Sequence, residues 1–128
     1  MFKNQKEVNA SEPMDKALGS RDWKTDEEYY GYLVDMHVPE GASGFIYKLA
    51  LVENQKGLPV LNDNFISFWE TKVLHHKEGG KLWNIPLGNL IGVKCTGKGK
   101  AKSSGNMTTY FSVNEVEDGK GQVYKVKL

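Results

Sequence analysis

The chain has 128 residues, 39% hydrophobic and 11% aromatic, which fits one globular domain that buries roughly two-thirds of its unfolded surface. Its single cysteine, Cys95, excludes an internal disulfide framework or a cysteine-based zinc site, and its apolar neighbours predict a buried structural thiol. Because no apolar run approaches the roughly 20 residues of a membrane helix, and the N-terminus lacks the apolar core of a signal peptide, we expect a soluble cytoplasmic protein.

The net charge of +1 conceals an uneven distribution. Residues 1–78 hold nine Lys or Arg against thirteen Asp or Glu, and residues 79–128 hold eight against three, so the two parts carry −4 and +5. A segregated basic region favours a polyanion bound on one face. The alternative is a solvated loop that lysines keep soluble, and charge alone leaves both interpretations open.

The first 27 residues predict an N-terminal arm that is partly flexible. They mix charge, Asn and Ser with few apolar side chains. At most one short helix is expected, between Ser11 and Gly19, with Pro13 near its start. We expect the arm to be mobile, or to pack, pinned by Trp23, on the domain that follows, residues 28–128, or on a second copy of the chain.

From Tyr29 onward, apolar side chains recur at every second position, which indicates β-strands. We predict strands at 29–38, 45–52 and 65–71, and we interpret residues 53–64 as turns because they are rich in Gly, Pro and Asn. Residues 71–78 could continue the third strand or form one helical turn. Residues 81–86 form a short apolar connector.

Residues 87–113 predict a hairpin with a long cationic loop. Ile91, Val93 and Cys95 should point inward and Lys94 outward, because strand side chains alternate. The loop carries Lys98, Lys100 and Lys102. With a final strand at 122–128, the chain is mainly all-β and predicts a five- to six-stranded OB-like barrel with little helix.

Motifs for catalysis or metal binding are weak in this sequence. His75 and His76 are adjacent, so they point in different directions and cannot both bind one metal. The run from Gly97 to Lys102 lacks the spacing of a phosphate-binding loop, and no helix follows it. We therefore expect no enzyme activity, no cofactor and no metal.

Lysines lie beside tyrosine or tryptophan at several places along the chain. Proteins hold single-stranded nucleic acids with cations on the phosphates and aromatic rings under the bases. The candidate stacking residues are Tyr47, Trp69, Trp83 and Tyr110. For each of them a position in the core is an equal alternative. The candidate phosphate-binding residues are Lys48, Lys72, Lys94, Lys98, Lys100 and Lys102.

Three stretches carry a resemblance to a known family: residues 69–74, residues 86–100 and the returning Phe111-Ser112-Val113. In their order, from aromatic-rich strands through a connector to a strand ending in Gly-Lys, they resemble small single-stranded DNA-binding proteins of bacteriophages. The resemblance covers roughly residues 29–117. It implies an OB-fold that coats single-stranded DNA in phage replication or recombination, inside the bacterial host. It also implies that the protein is often a homo-oligomer and that replication or recombination proteins are further partners.

Two other interpretations remain open. One is a structural or protein-interaction β-barrel of a phage or bacterial assembly, in which strand edges and the arm make subunit contacts without nucleic acid. The other is an enzyme with an unrecognised site.

Overall fold

A computed structural model describes residues 17–42, 44–71, 74, 80–82, 84–100 and 107–128. These contain one antiparallel sheet, built from β1 (Glu28–His37), β2 (Ile46–Gln55), β3 (Leu58–Trp69), β4 (Leu90–Lys100) and β5 (Met107–Glu115). Across the sheet the order is β3-β2-β1-β4-β5. Three successive strands with the fourth returned beside the first make a Greek key. The predicted all-β class is confirmed.

The sheet is not closed into the barrel that the strand pattern predicted. β3 and β5 are its two edges, and between them lies a segment that precedes β1, residues 17–27, which we call the strap. On the β3 side, Leu18 N–H donates to the Ser67 carbonyl oxygen (2.8 Å) and Trp69 N–H donates to the Leu18 carbonyl oxygen (2.9 Å). On the β5 side, Thr109 Oγ1 donates to the Ser20 carbonyl oxygen (2.8 Å). The strap therefore occupies the place where a closed barrel would pair its edges.

Trp23 fixes the strap to the interior. Its side chain is only 1% exposed. The indole packs edge-to-face on Tyr29, Phe68 and Phe111, with ring centroids 5.6, 5.6 and 5.0 Å away. The second half of the predicted arm is thus part of the packed domain. The expected helix falls mostly on residues outside those described, and its last turn instead contains Leu18, which forms a parallel β-bridge to Phe68.

Apolar side chains pack on both faces of the sheet. The inner face carries the larger cluster, in which Ile91, Val93 and Cys95 are fully buried, as predicted. Leu74 and Leu82, from the connection between β3 and β4, also belong to this cluster. On the outer face a smaller cluster centres on the side chains of Tyr32, Val34, Ala50, Leu90 and Val126.

The β2–β3 hairpin is longer than the sequence predicted. Residues 53–64 are almost entirely strand, joined by the two-residue turn Lys56-Gly57, whose φ angles of 53° and 82° are those of a type I′ turn. Pro59 pairs with Asn54 inside the ladder. An edge strand tolerates proline because one side of its backbone needs no partner strand.

The final strand predicted at 122–128 is reduced to isolated bridges. Lys125 pairs with Asn89 and Val123 with Glu117. Val126 N–H donates to the Gly88 carbonyl oxygen (2.9 Å). This C-terminal segment covers part of the outer face next to the start of β4.

Candidate nucleic-acid interface

Two exposed tyrosine rings lie on the outer face of β1, β4 and β5, each against a glycine of β4. Tyr30 is 44% exposed and pairs with Gly92, and Tyr110 is 42% exposed and pairs with Gly97. A methyl group placed on Gly92 would come within 2.5 Å of Tyr30 Cε1, and one on Gly99 within 3.7 Å of Tyr110 Cε2. The Tyr30 ring can therefore lie on β4 only because Gly92 has no side chain, whereas the distance at Gly99 is ordinary van der Waals contact.

Lys94 lies between the two rings on the same face. It is two residues beyond Gly92 and pairs with Ser112, which is two residues beyond Tyr110. Its ammonium nitrogen is 3.8 Å from Asp26 Oδ1, and both side chains are well exposed, at 41% and 78%. An exposed ion pair of this kind contributes about 0 to 1 kcal/mol, so a phosphate can compete with the carboxylate.

Lys98 and Lys100 lie on β4 and not in the loop that the sequence indicated. They pair with Thr109 and Met107, and both lysines are exposed. The ladder shifts by one residue between Cys95 and Gly97, which turns Lys98 toward the strap. Lys98 Nζ donates to the Arg21 carbonyl oxygen (3.0 Å), so the strap brings a further exposed cation to this end of the sheet.

Tyr47 and Lys48 are interior residues, contrary to the expectation that they reach a ligand. Tyr47 has no exposed surface and stacks on Phe68, with centroids 5.5 Å apart and planes at 27°. Burial, together with the charge of Glu70, raises the pKa of its hydroxyl. Lys48 is also fully buried, with Nζ 4.5 Å from the centre of the Phe65 ring. Strand alternation puts Tyr47 on the inner face, where its ring completes the core.

Trp69 is half-buried at the end of β3. Because β2 and β1 lie between β3 and β4, it is three strand spacings from Lys94, about 14 Å at roughly 4.8 Å each. It therefore does not join the two tyrosines. Lys72, Trp83 and Lys102 lie outside the described residues, and these three assignments stay predictions.

Sequence reasoning missed Tyr30 and Arg21. Tyr30 appeared only as one of several alternating residues of the first strand, and nothing in the sequence shows that it faces a glycine on β4. Burial, the negative charge of Glu28 and the hydrogen bond that the Tyr30 hydroxyl donates to the Glu28 carboxylate raise the pKa of this hydroxyl. The ring therefore stays neutral at physiological pH.

Comparison of the chain with known protein families, curated proteins and solved structures found no match. Within the part of the chain that the structure describes, there is no helix with the length and apolar character to cross a membrane. Nor do the described residues bring three or more His, Cys, Asp or Glu side chains together as a metal site.

Proposed function

We propose that this protein binds single-stranded DNA without sequence specificity through the outer face of β1, β4 and β5, and that it catalyses no reaction. The observation that carries the proposal is the pair of exposed rings, Tyr30 of β1 and Tyr110 of β5, which both lie against β4 with Lys94 between them. Stacking on an aromatic ring tolerates any base, because every base has a π-face.

The spacing of the rings suits an extended strand. The glycines beneath them, Gly92 and Gly99, are seven residues apart on β4, or about 23 Å at roughly 3.3 Å per residue. That distance accommodates several nucleotides, within the roughly 4 to 16 that one OB-fold covers. Bases would stack at the two ends, and the phosphates between them would approach Lys94.

Cations beyond Lys94, on the strap side of β4, supply the rest of the electrostatic component. Lys98 and Lys100 alternate with the tyrosine-bearing positions and lie on the strap side, where Arg21 is also exposed, so a bound strand reaches them by passing around this end of the sheet. Glu28 pairs with Lys94 across the ladder and lowers the local positive potential. We therefore expect binding that is clear at low salt and falls steeply as salt is added.

The resemblance to phage proteins supports a role in phage DNA replication or recombination in the bacterial cytoplasm. In that role, copies of the chain would assemble along the strand and meet replication or recombination proteins. The Greek-key order agrees with the OB-like topology that the resemblance implies.

Fluorescence anisotropy of a labelled oligothymidylate at low salt tests the proposal. Replacing Tyr30 or Tyr110 with alanine should weaken binding by about 1 to 3 kcal/mol for each stacked base, roughly 5- to 150-fold. Tyr110→Phe should retain most of the affinity, because the ring is kept.

The lysine contribution is measured against a matched control. Lys98→Ala should reduce the slope of log K against log salt by about 0.7. Lys120→Ala, in the exposed turn after β5, should leave the slope unchanged. Absence of binding at low salt, or equal losses for the two lysine variants, contradicts the proposal. A discrete large assembly in light scattering, without affinity for the oligonucleotide, would instead favour the structural role.

A further inference from the structure

A half-open cleft of about 350 Å³ lies on the outer face, at the end of β4 far from Lys98 and Lys100. It is bounded by the β2–β3 turn on one side and by the segment after β5 on the other. Its aliphatic lining comes from Val52, Leu58, Leu90 and Val116. Its volume lies within the range in which proteins hold small ligands, about 300 to 1,000 Å³.

The polar lining of the cleft is aromatic and acidic. Its polar lining residues are Tyr30, Tyr124, Asn54, Glu53 and Glu117, and the Glu53 carboxylate also accepts a hydrogen bond from Gln55 (2.9 Å). Among the described residues that line it there is no Lys or Arg; Lys56, in the neighbouring turn, is exposed but not part of the lining. The lining residues thus carry two negative charges and no positive one, which disfavours a phosphate as the ligand.

We propose that this cleft binds an organic cation: an ammonium or guanidinium group carried on an aliphatic stem. A cation is attracted both to the faces of tyrosine rings and to carboxylates. Its aliphatic stem would lie against the valine and leucine side chains, as the stems of Lys and Arg do on apolar surfaces. Such a group is found on a basic side chain of another protein and on a free polyamine.

The cleft is separate from the basic end of the proposed DNA interface. Leu90, which lines it, is ten residues from Lys100 along β4, or about 33 Å. The two ends of β4 thus differ in charge, and each suits a ligand of opposite sign. Only Tyr30 borders both, so the test uses the glutamates.

Methyl NMR titration measures binding at Val52, Leu58 and Val116. The probes are N-acetylarginine amide, agmatine and, as a neutral isostere of the first, N-acetylcitrulline amide. We expect saturable shifts with both cations and at least several-fold weaker binding of the citrulline compound. Tighter binding of the arginine compound than of agmatine identifies a protein side chain as the source, and the reverse order identifies a free amine.

Glutamine variants test the carboxylates without changing side-chain shape. Glu53→Gln and Glu117→Gln should each weaken the arginine compound about two- to fivefold. Glu40→Gln, in the turn after β1, should leave it unchanged. Equal binding of arginine and citrulline, no effect of either cleft variant, or shifts with deoxycytidine but not with the cations would overturn the proposal. None of these outcomes depends on DNA binding.

Discussion

Replacing Trp23 with alanine tests whether the strap is an integral part of the core. The indole is 1% exposed and touches three other rings. Truncating a buried aromatic side chain to alanine costs about 3 to 5 kcal/mol, because burial is lost and a cavity remains. A domain of 128 residues is stable by roughly 6 to 19 kcal/mol, so this one change removes a large share of its stability.

Urea unfolding followed by circular dichroism measures the loss without relying on tryptophan emission. We expect a fall of about 3 to 5 kcal/mol for Trp23→Ala and a smaller one for Trp23→Phe, which keeps an aromatic ring in the site. Hydrogen exchange should also accelerate at the Leu18 amide, which donates to Ser67. Surface substitutions usually change stability by no more than about 0.5 kcal/mol. A loss below about 1 kcal/mol would therefore refute the reasoning, because it would be close to that of a surface residue.

Three further predictions concern the sheet. Burial raises the pKa of Tyr29 from 10.0 to about 12, with smaller contributions from its hydrogen bond to Glu27 and from the charge of that residue. Between these two pH values the folded state keeps a proton that the unfolded chain releases. Stability should fall as pH rises between these values, and less so in Tyr29→Phe, as paired urea titrations would show. Gly31→Ala should cost about 1 to 3 kcal/mol in thermal unfolding, since its new methyl group would lie 2.7 Å from a carbonyl oxygen of β2, whereas Gly119→Ala, with open space, should be neutral. The Cys95 thiol is fully buried, so it should react with a disulfide reagent only when the protein unfolds; fast labelling of the native protein would contradict its position.

Alternation of apolar residues was sufficient to predict the all-β class and the inward direction of the β4 side chains. It failed at the β2–β3 turn, where Lys56 occupies a left-handed position that Asn, Asp or Gly more often signals, and where Pro59 suggested that the strand had ended. It also failed to predict the strap, because Leu18 pairs with a strand about 50 residues away, and local periodicity carries no information about such partners.

The candidate interface was predictable only in part. Lys98 and Lys100 are exposed and Lys94 is partly so; of the tyrosines for which the sequence left core and interface equally open, Tyr110 is exposed and Tyr47 is in the core. A tyrosine in an alternating strand can face either way, and its direction depends on which face the other strands cover. Strand register decides this, and register is set by contacts between distant parts of the chain.

The strap also has a consequence for how the chain folds. The hydrogen bond from Thr109 to Ser20 joins residues 89 positions apart, and that from Lys98 to Arg21 spans 77. Contacts of such long sequence separation carry a high loop-closure entropy and tend to form slowly. Because the strap contacts both β3 and β5, we expect it to dock after the sheet has assembled. Until then the edges of β3 and β5 lack their cover, and in that interval the chain is most open to pairing with another copy of itself.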